Sequence, residues 1–199
     1  MRPLSQVTVV AVLILGGFPI IGTAEPAGAQ KPPAWWAKAL AKLESRFLPA
    51  EAKPGQTVTW QLTLHLNPGY YTYPLRQVDK AAAMMVNELL FPPSQAVIFV
   101  GDARDSGQFK SKAEPILGIQ ELRYLPDLVI YERTAIVSPK AEPGTVQVTT
   151  TAKLNICDAN NCFPTRAVPI TATLKIATGG PVPVDPKYQA EVKKALSPE

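Results

Sequence analysis

Histidine and cysteine are nearly missing: the 199 residues include one histidine, His65, and two cysteines, Cys157 and Cys162. Three such residues do not make a four-ligand metal set, and a Cys-His nucleophilic enzyme has little to be assembled from. Charge of one sign is also scarce. Twenty Lys and Arg face sixteen Asp and Glu, a net +4, and the basic residues are scattered rather than gathered into a stripe. Nucleic-acid binding therefore has little support. Long apolar runs are confined to the start of the chain, and nothing after it approaches the length of a membrane-spanning helix. No metal, organic cofactor or nucleic acid is expected.

What is plentiful is punctuation. Twenty-one prolines and twelve glycines, among many Val, Thr and Ile, favour short strands joined by turns over a helical bundle. The beginning reads as an export signal. Met1-Arg2 is a short positive start, Val7 to Phe18 an apolar run too short for a comfortable span, and small residues follow at Gly22-Thr23-Ala24 and Ala27-Gly28-Ala29. Cleavage after Ala24 or Ala29 is expected, with an uncleaved anchor as the alternative, and no cysteine is present there to carry a lipid. The mature domain is then expected to be soluble in the periplasm or another exported space, where disulfides persist.

Four regions follow: a signal peptide over 1–29, an N-terminal helical segment over 30–46, a β-domain over 47–178, and a linker with a short C-terminal helix over 179–199. Trp35-Trp36 with Leu40 and Leu43 stand near helical spacing, which predicts a short amphipathic helix from Ala34 to Arg46. From Thr57 to Leu66 the alternation is strict: Val58, Trp60, Leu62, Leu64 and Leu66 form one face, with His65 on the polar one. Ala96 to Val100, Leu128 to Val137, Thr145 to Ile156 and Ala167 to Ile176 also read as strands, and Pro169 marks the last as an edge or bulged strand. Gln77 to Leu90 reads as a helix or loop insertion. Gly101 to Pro126 is a long connection of the kind that is functional or disordered. Strands at this spacing, without alternating helices, predict an all-β fold, an immunoglobulin-like antiparallel β-sandwich with short terminal helices.

The two cysteines, with four residues between them, lie on the turn between the last two predicted strands, within Asn155-Ile156-Cys157-Asp158-Ala159-Asn160-Asn161-Cys162-Phe163-Pro164. A crosslink there encloses little chain, so its loop-closure contribution is roughly 2 kcal/mol at most. A staple meant for stability would join distant strands. Redox exchange needs an exposed sulfur, a resolving sulfur nearby and a shield. Lys153 and Arg166 are close in sequence and of the sign that favours a thiolate, while Asp158 opposes it. Phe109 and Tyr124, in the long connection, are candidates for the shield. Spacing alone leaves exchange and a fixed clasp both open.

Lys53-Pro54-Gly55, Asn67-Pro68-Gly69-Tyr70-Tyr71-Thr72-Tyr73, Ala141-Glu142-Pro143-Gly144 and Cys157-Asp158-Ala159-Asn160-Asn161-Cys162-Phe163-Pro164, in that order, resemble the N-terminal periplasmic domain of the DsbD thiol:disulfide interchange proteins. The likeness spans about Ser45 to Ala177. It departs at Asn155, where a glutamine is common, and at Thr165, where a second proline is frequent. The resemblance implies an immunoglobulin-like sandwich whose cysteine pair relays reducing equivalents between thioredoxin-like periplasmic proteins, among them disulfide isomerases and cytochrome c maturation thioredoxins. By position Cys162 matches the attacking cysteine and Cys157 the resolving one. Tyr71 and Tyr73 match tyrosines that line the pair, Tyr124 the aromatic of the shielding cap, and Phe163 belongs to the cysteine turn. Neither membrane helices nor a thioredoxin-like domain follows in the sequence, so a separate membrane electron carrier is the expected supply. The rival reading is a non-catalytic immunoglobulin-like binding module with a structural disulfide.

Overall fold

The computed structural model describes residues 28–197. The expected signal peptide thus lies outside the described residues, apart from Gly28 and Ala29. Fourteen strands occur among the described residues. The first four are β1 (Ala29–Gln30), β2 (Leu40–Leu48), β3 (Glu51–Ala52) and β4 (Thr57–Leu66). Then come β5 (Tyr71–Thr72), β6 (Glu88–Leu90), β7 (Val97–Phe99), β8 (Arg104–Gly107) and β9 (Lys110–Glu114). The last five are β10 (Ile119–Pro126), β11 (Leu128–Val137), β12 (Gly144–Lys153), β13 (Ile156–Cys157) and β14 (Ala167–Ile176). One α-helix, α1 (Gln189–Leu196), follows them.

Two sheets form an all-β sandwich. The larger has the order β1-β2-β4-β11-β7, with β8 also paired to β11, and the smaller the order β3-β14-β12-β6. All pairings are antiparallel except β3 with β14. Alternation does the sorting. Val58, Trp60, Leu62, Leu64 and Leu66 of β4 are buried, and Val168, Ile170, Ala172, Leu174 and Ile176 of β14 share the same core. Full burial of a Val, Leu or Ile side chain stabilises by about 1.5–3 kcal/mol, and a one-residue slip would turn these faces to water. Pro169 pairs with Thr151 on one side, while β3 meets β14 only at Lys175 and Ile176, so the proline sits on a free edge as expected. His65 stays on the polar face, 3.4 Å from Glu44.

The expected helix from Ala34 to Arg46 is not formed. A single 3-10 turn, Ala34–Trp36, leads into β2, which crosses the anticipated boundary at residue 46 and belongs to the sandwich. The cause is a break in register between Leu40 and Lys42. An extra residue in one strand puts Leu40 and Leu43 on the same face three positions apart, which imitates helical spacing, and the regular alternation Leu43, Ser45, Phe47 resumes beyond it.

A third sheet, ordered β13-β5-β10-β9, carries the site. It grows from three sandwich strands continued past one end: β4 turns at Asn67–Tyr70 into β5, β12 extends to β13, and β10 runs into β11 through Asp127. Asp127 takes φ 60°, a left-handed kink that Asp tolerates better than most residues. The connection from Gly101 to Pro126 is therefore ordered, as β8 and the β9–β10 hairpin. At the C-terminus, α1 buries Val192 against Ile98, Val100 and Ile136. The linker before it crosses Gly55, whose φ of 85° and closeness to the Val182 carbonyl leave no room for a Cβ.

Candidate functional site

Cys157 and Cys162 face each other across a hairpin turn and are joined by a disulfide, with Cα atoms 3.9 Å apart. The Phe163 amide donates to the Ile156 carbonyl and the Asp158 amide to the Asn161 carbonyl, both at 2.8 Å. The cysteines thus occupy a non-hydrogen-bonded position between two ladder bonds, where facing side chains approach most closely. The Asp158 carboxylate accepts from the Asn160 and Asn161 amides at 2.8 Å each, and these bonds hold its carboxyl below the usual carboxylate range. Its charge is engaged in shaping the turn.

The two sulfur residues differ sharply in environment. Cys157 has no exposed surface, whereas Cys162 is exposed. Cys157 belongs to a small core of its own with Tyr73, Ala82, Ile119 and Leu122, flanked by Tyr71, Met85 and Tyr124. The Tyr71 ring lies 5.0 Å from Tyr124 and 5.9 Å from Tyr73, between centroids. The Tyr73 hydroxyl is 3.9 Å from Cys157 Sγ and donates toward a sulfur that carries no proton in a disulfide. Burial, reinforced by Tyr71, pushes the Tyr73 phenol up to about 12, so it keeps its proton at neutral pH.

A buried polar network anchors the strand that presents Cys157. Asn87 Nδ2 donates to Thr72 Oγ1 at 2.7 Å and to Tyr131 Oη at 2.6 Å, and lies 2.6 Å from the Tyr73 carbonyl. The Thr72 hydroxyl donates to the Asn155 carbonyl at 2.7 Å, and the Tyr131 hydroxyl donates to the Tyr73 carbonyl at 3.1 Å. Asn87 Oδ1 accepts the Asn155 amide at 2.7 Å, while Asn155 Nδ2 donates to the Val86 carbonyl at 2.6 Å and Asn155 Oδ1 accepts from the Thr165 hydroxyl. Inside a low-dielectric core such a closed set fixes its members. The β9–β10 hairpin is held to the same region. Asp79 Oδ2 accepts the Gln120 amide at 2.8 Å and the Glu121 amide at 3.2 Å, and Gln77 bonds both backbone groups of Arg123.

Of the residues expected at the site, Cys157, Tyr71, Tyr73 and Tyr124 are brought together and Cys162 borders them. Phe163 is not with them: it packs against the sandwich core, its ring 6.1 Å from Tyr70. Phe109 is half-exposed and outside the cluster. Lys153 is committed to Glu88 at 2.8 Å and Arg166 lies over Trp35 at 4.8 Å, so these two cations are engaged elsewhere. Four contributors escaped the sequence reading: Gln77, Asp79, Asn87 and Lys112. For Asn87 the one available signal was a lone amide in the apolar stretch from Met84 to Phe91.

A groove of about 300 Å³ runs beside the turn, lined by Tyr70, Tyr71, Lys110, Lys112, Tyr124 and Ala159. Among the described residues no group of three or more His, Cys, Asp or Glu is placed to hold a metal ion. Fold and site together define an all-β sandwich that presents a turn disulfide with one cysteine enclosed and the other open.

No family model and no curated protein matches this chain. Among solved structures it is similar to the N-terminal periplasmic domain of ScsB from Proteus mirabilis, at TM-score 0.48 and 15% identity over 85% of this chain and 57% of that one. It is also similar to BcpA, the major pilin subunit of Bacillus cereus, at TM-score 0.36 and 9% identity over 66% of this chain and 39% of that one. The chain therefore spans a little over half of the ScsB structure and less of the pilin.

Proposed function

We propose that this is an exported thiol:disulfide exchange domain that relays reducing equivalents between thioredoxin-like proteins through Cys157 and Cys162. The observation that carries the reading is the unequal exposure of the two bonded cysteines. A visiting thiolate reaches Cys162, forms a mixed disulfide there and releases Cys157 into its tyrosine-lined core. In the opposite direction Cys162 attacks the disulfide of the next protein, and Cys157, held 3.9 Å away between Cα atoms, resolves the intermediate. The crosslink joins two strands already paired from Lys153↔Ala167 outward, so it adds little that the ladder does not supply. The motif resemblance supports the same roles. No helix among the described residues is long and apolar enough to cross a membrane.

Trapping tests the assignment of roles. Cys157→Ser is expected to accumulate a mixed disulfide with a thioredoxin-like partner on Cys162, whereas Cys162→Ser is expected to leave Cys157 free yet unreactive toward that partner. Equal trapping by both variants, or by neither, contradicts the assignment. A native pair that opens only on unfolding, and whose loss merely lowers the melting temperature, would return the domain to a binding module with a structural clasp.

A further inference from the structure

Opening the disulfide by attack on Cys162 leaves an electron pair on Cys157 Sγ, inside a core where Ala82, Ile119 and Leu122 offer no polar atom. An unprotonated thiolate there is costly, because burial disfavours the charged form. It needs a proton, and among the described residues the one hydrogen-bond partner of that sulfur is the Tyr73 hydroxyl at 3.9 Å. Tyr73 is itself buried. Its ring meets that of Tyr71 edge-on, 5.9 Å between centroids, and the half-buried Tyr71 accepts through its hydroxyl from Lys112 Nζ at 3.4 Å. Lys112 is exposed and ion-paired with Glu114 at 2.8 Å, so the series ends at water. Tyr124, packed on Tyr71, closes the side of the path.

We infer that Tyr73, Tyr71 and Lys112 form a proton relay that delivers a proton to Cys157 Sγ when the disulfide is reduced and removes it when the disulfide re-forms. The inference rests on the exchange reading above. In reduction, the partner thiolate bonds to Cys162 Sγ and the Cys157–Cys162 bond breaks, with its electron pair going to Cys157 Sγ. The Tyr73 hydroxyl gives its proton to that sulfur, takes one from Tyr71, and Tyr71 takes one from the Lys112 ammonium, which is replenished from solvent. The proton taken up balances the one released when the partner thiol ionised. Each phenol ends as it began. In oxidation of the pair every transfer is reversed. Tyr73 is thus a catalytic residue in contact with the reacting sulfur, and Lys112 acts through the two phenols.

The test uses the oxidised full chain, reduced by dithiothreitol and separately re-oxidised from the dithiol by oxidised dithiothreitol, in H2O and D2O. Tyr73→Phe keeps the ring and removes the hydroxyl. Both directions are expected to slow roughly 100-fold, at the lower end of what general acid–base catalysis contributes, with the solvent isotope effect lost. A relay changes rates and not the equilibrium, so the ratio of the two rates and the melting temperature are expected to hold. Lys112→Met, a surface change safe for folding, is expected to slow both directions by a smaller factor, and Lys112→Arg to restore them. Parent rates with an intact isotope effect in Tyr73→Phe overturn the relay while leaving the exchange reading in place. Should Tyr73→Phe fail to fold, parent rates in Lys112→Met alone overturn it. If the unmodified protein resists dithiothreitol until it unfolds, exchange itself fails and the relay with it.

Discussion

Asn87 shows how much of the site depends on a side chain that touches neither sulfur. Its amide joins Thr72, Tyr131 and Asn155, and through them fixes both β5, which carries Tyr71, and the strand that carries Cys157. Asn87→Leu leaves the Asn155 amide without its acceptor in a site where Asn87 itself is only 3% exposed. The expected cost is about 3 kcal/mol, read as a lower urea midpoint at unchanged slope. A loss under about 0.5 kcal/mol, the scale of ordinary surface substitutions, would show that the network is not fixing the strand. Little of this was legible beforehand. The cysteine turn and the tyrosine-rich turn stood out in the sequence as short motifs, although spacing alone left exchange and a fixed clasp both open, whereas a buried amide declares its partners only in three dimensions. Phe163 illustrates the converse: adjacent to Cys162 in sequence, it alternates to the other side of the turn and joins a different core.

Among the elements, the β9–β10 hairpin departs furthest from what the sequence suggested. β9 reads Lys-Ser-Lys-Ala-Glu with no apolar face, and β10 has a register shift between Ile119 and Leu122 that breaks its alternation, so neither pattern signals a strand. The same kind of irregularity in β2 produced a false helix, while β4, β11 and β14, which are regular, were legible to their end residues. Asp79 holds the hairpin in place with its carboxylate. Backbone amides of Ala81, Glu121 and Gln120 keep that carboxyl below its usual range in the folded protein. A group with a depressed folded value stabilises fully above its unfolded value and ceases to do so as pH falls through the folded one. Hydrogen-exchange protection at Gln120 and Glu121 is therefore expected to hold from neutrality to the ordinary carboxylate range and to fall in stronger acid. Asp79→Ala is expected to lower that protection already at neutral pH. Equal protection in the variant and the parent at neutral pH would remove Asp79 from the account.

At the scale of the whole molecule, the sandwich holds the main core and the small third sheet holds the disulfide, and the two are largely separate. Trp60, Phe47 and the inward faces of β4 and β14 form the main core, while Cys157 sits in a second cluster built on strands continued past one end. The division was partly visible in the sequence: strict alternation specified the sandwich, and the disulfide turn stood out as a crosslink with little loop to close. Breaking that crosslink should accordingly leave the sandwich folded. Whether the pair opens in the native state is read from the reduction potential of the folded protein, equilibrated against a thioredoxin of known potential. A potential above about −300 mV, with native circular dichroism retained in the dithiol form, is expected. A value below about −300 mV, or reduction that occurs only as the fold is lost, would contradict it.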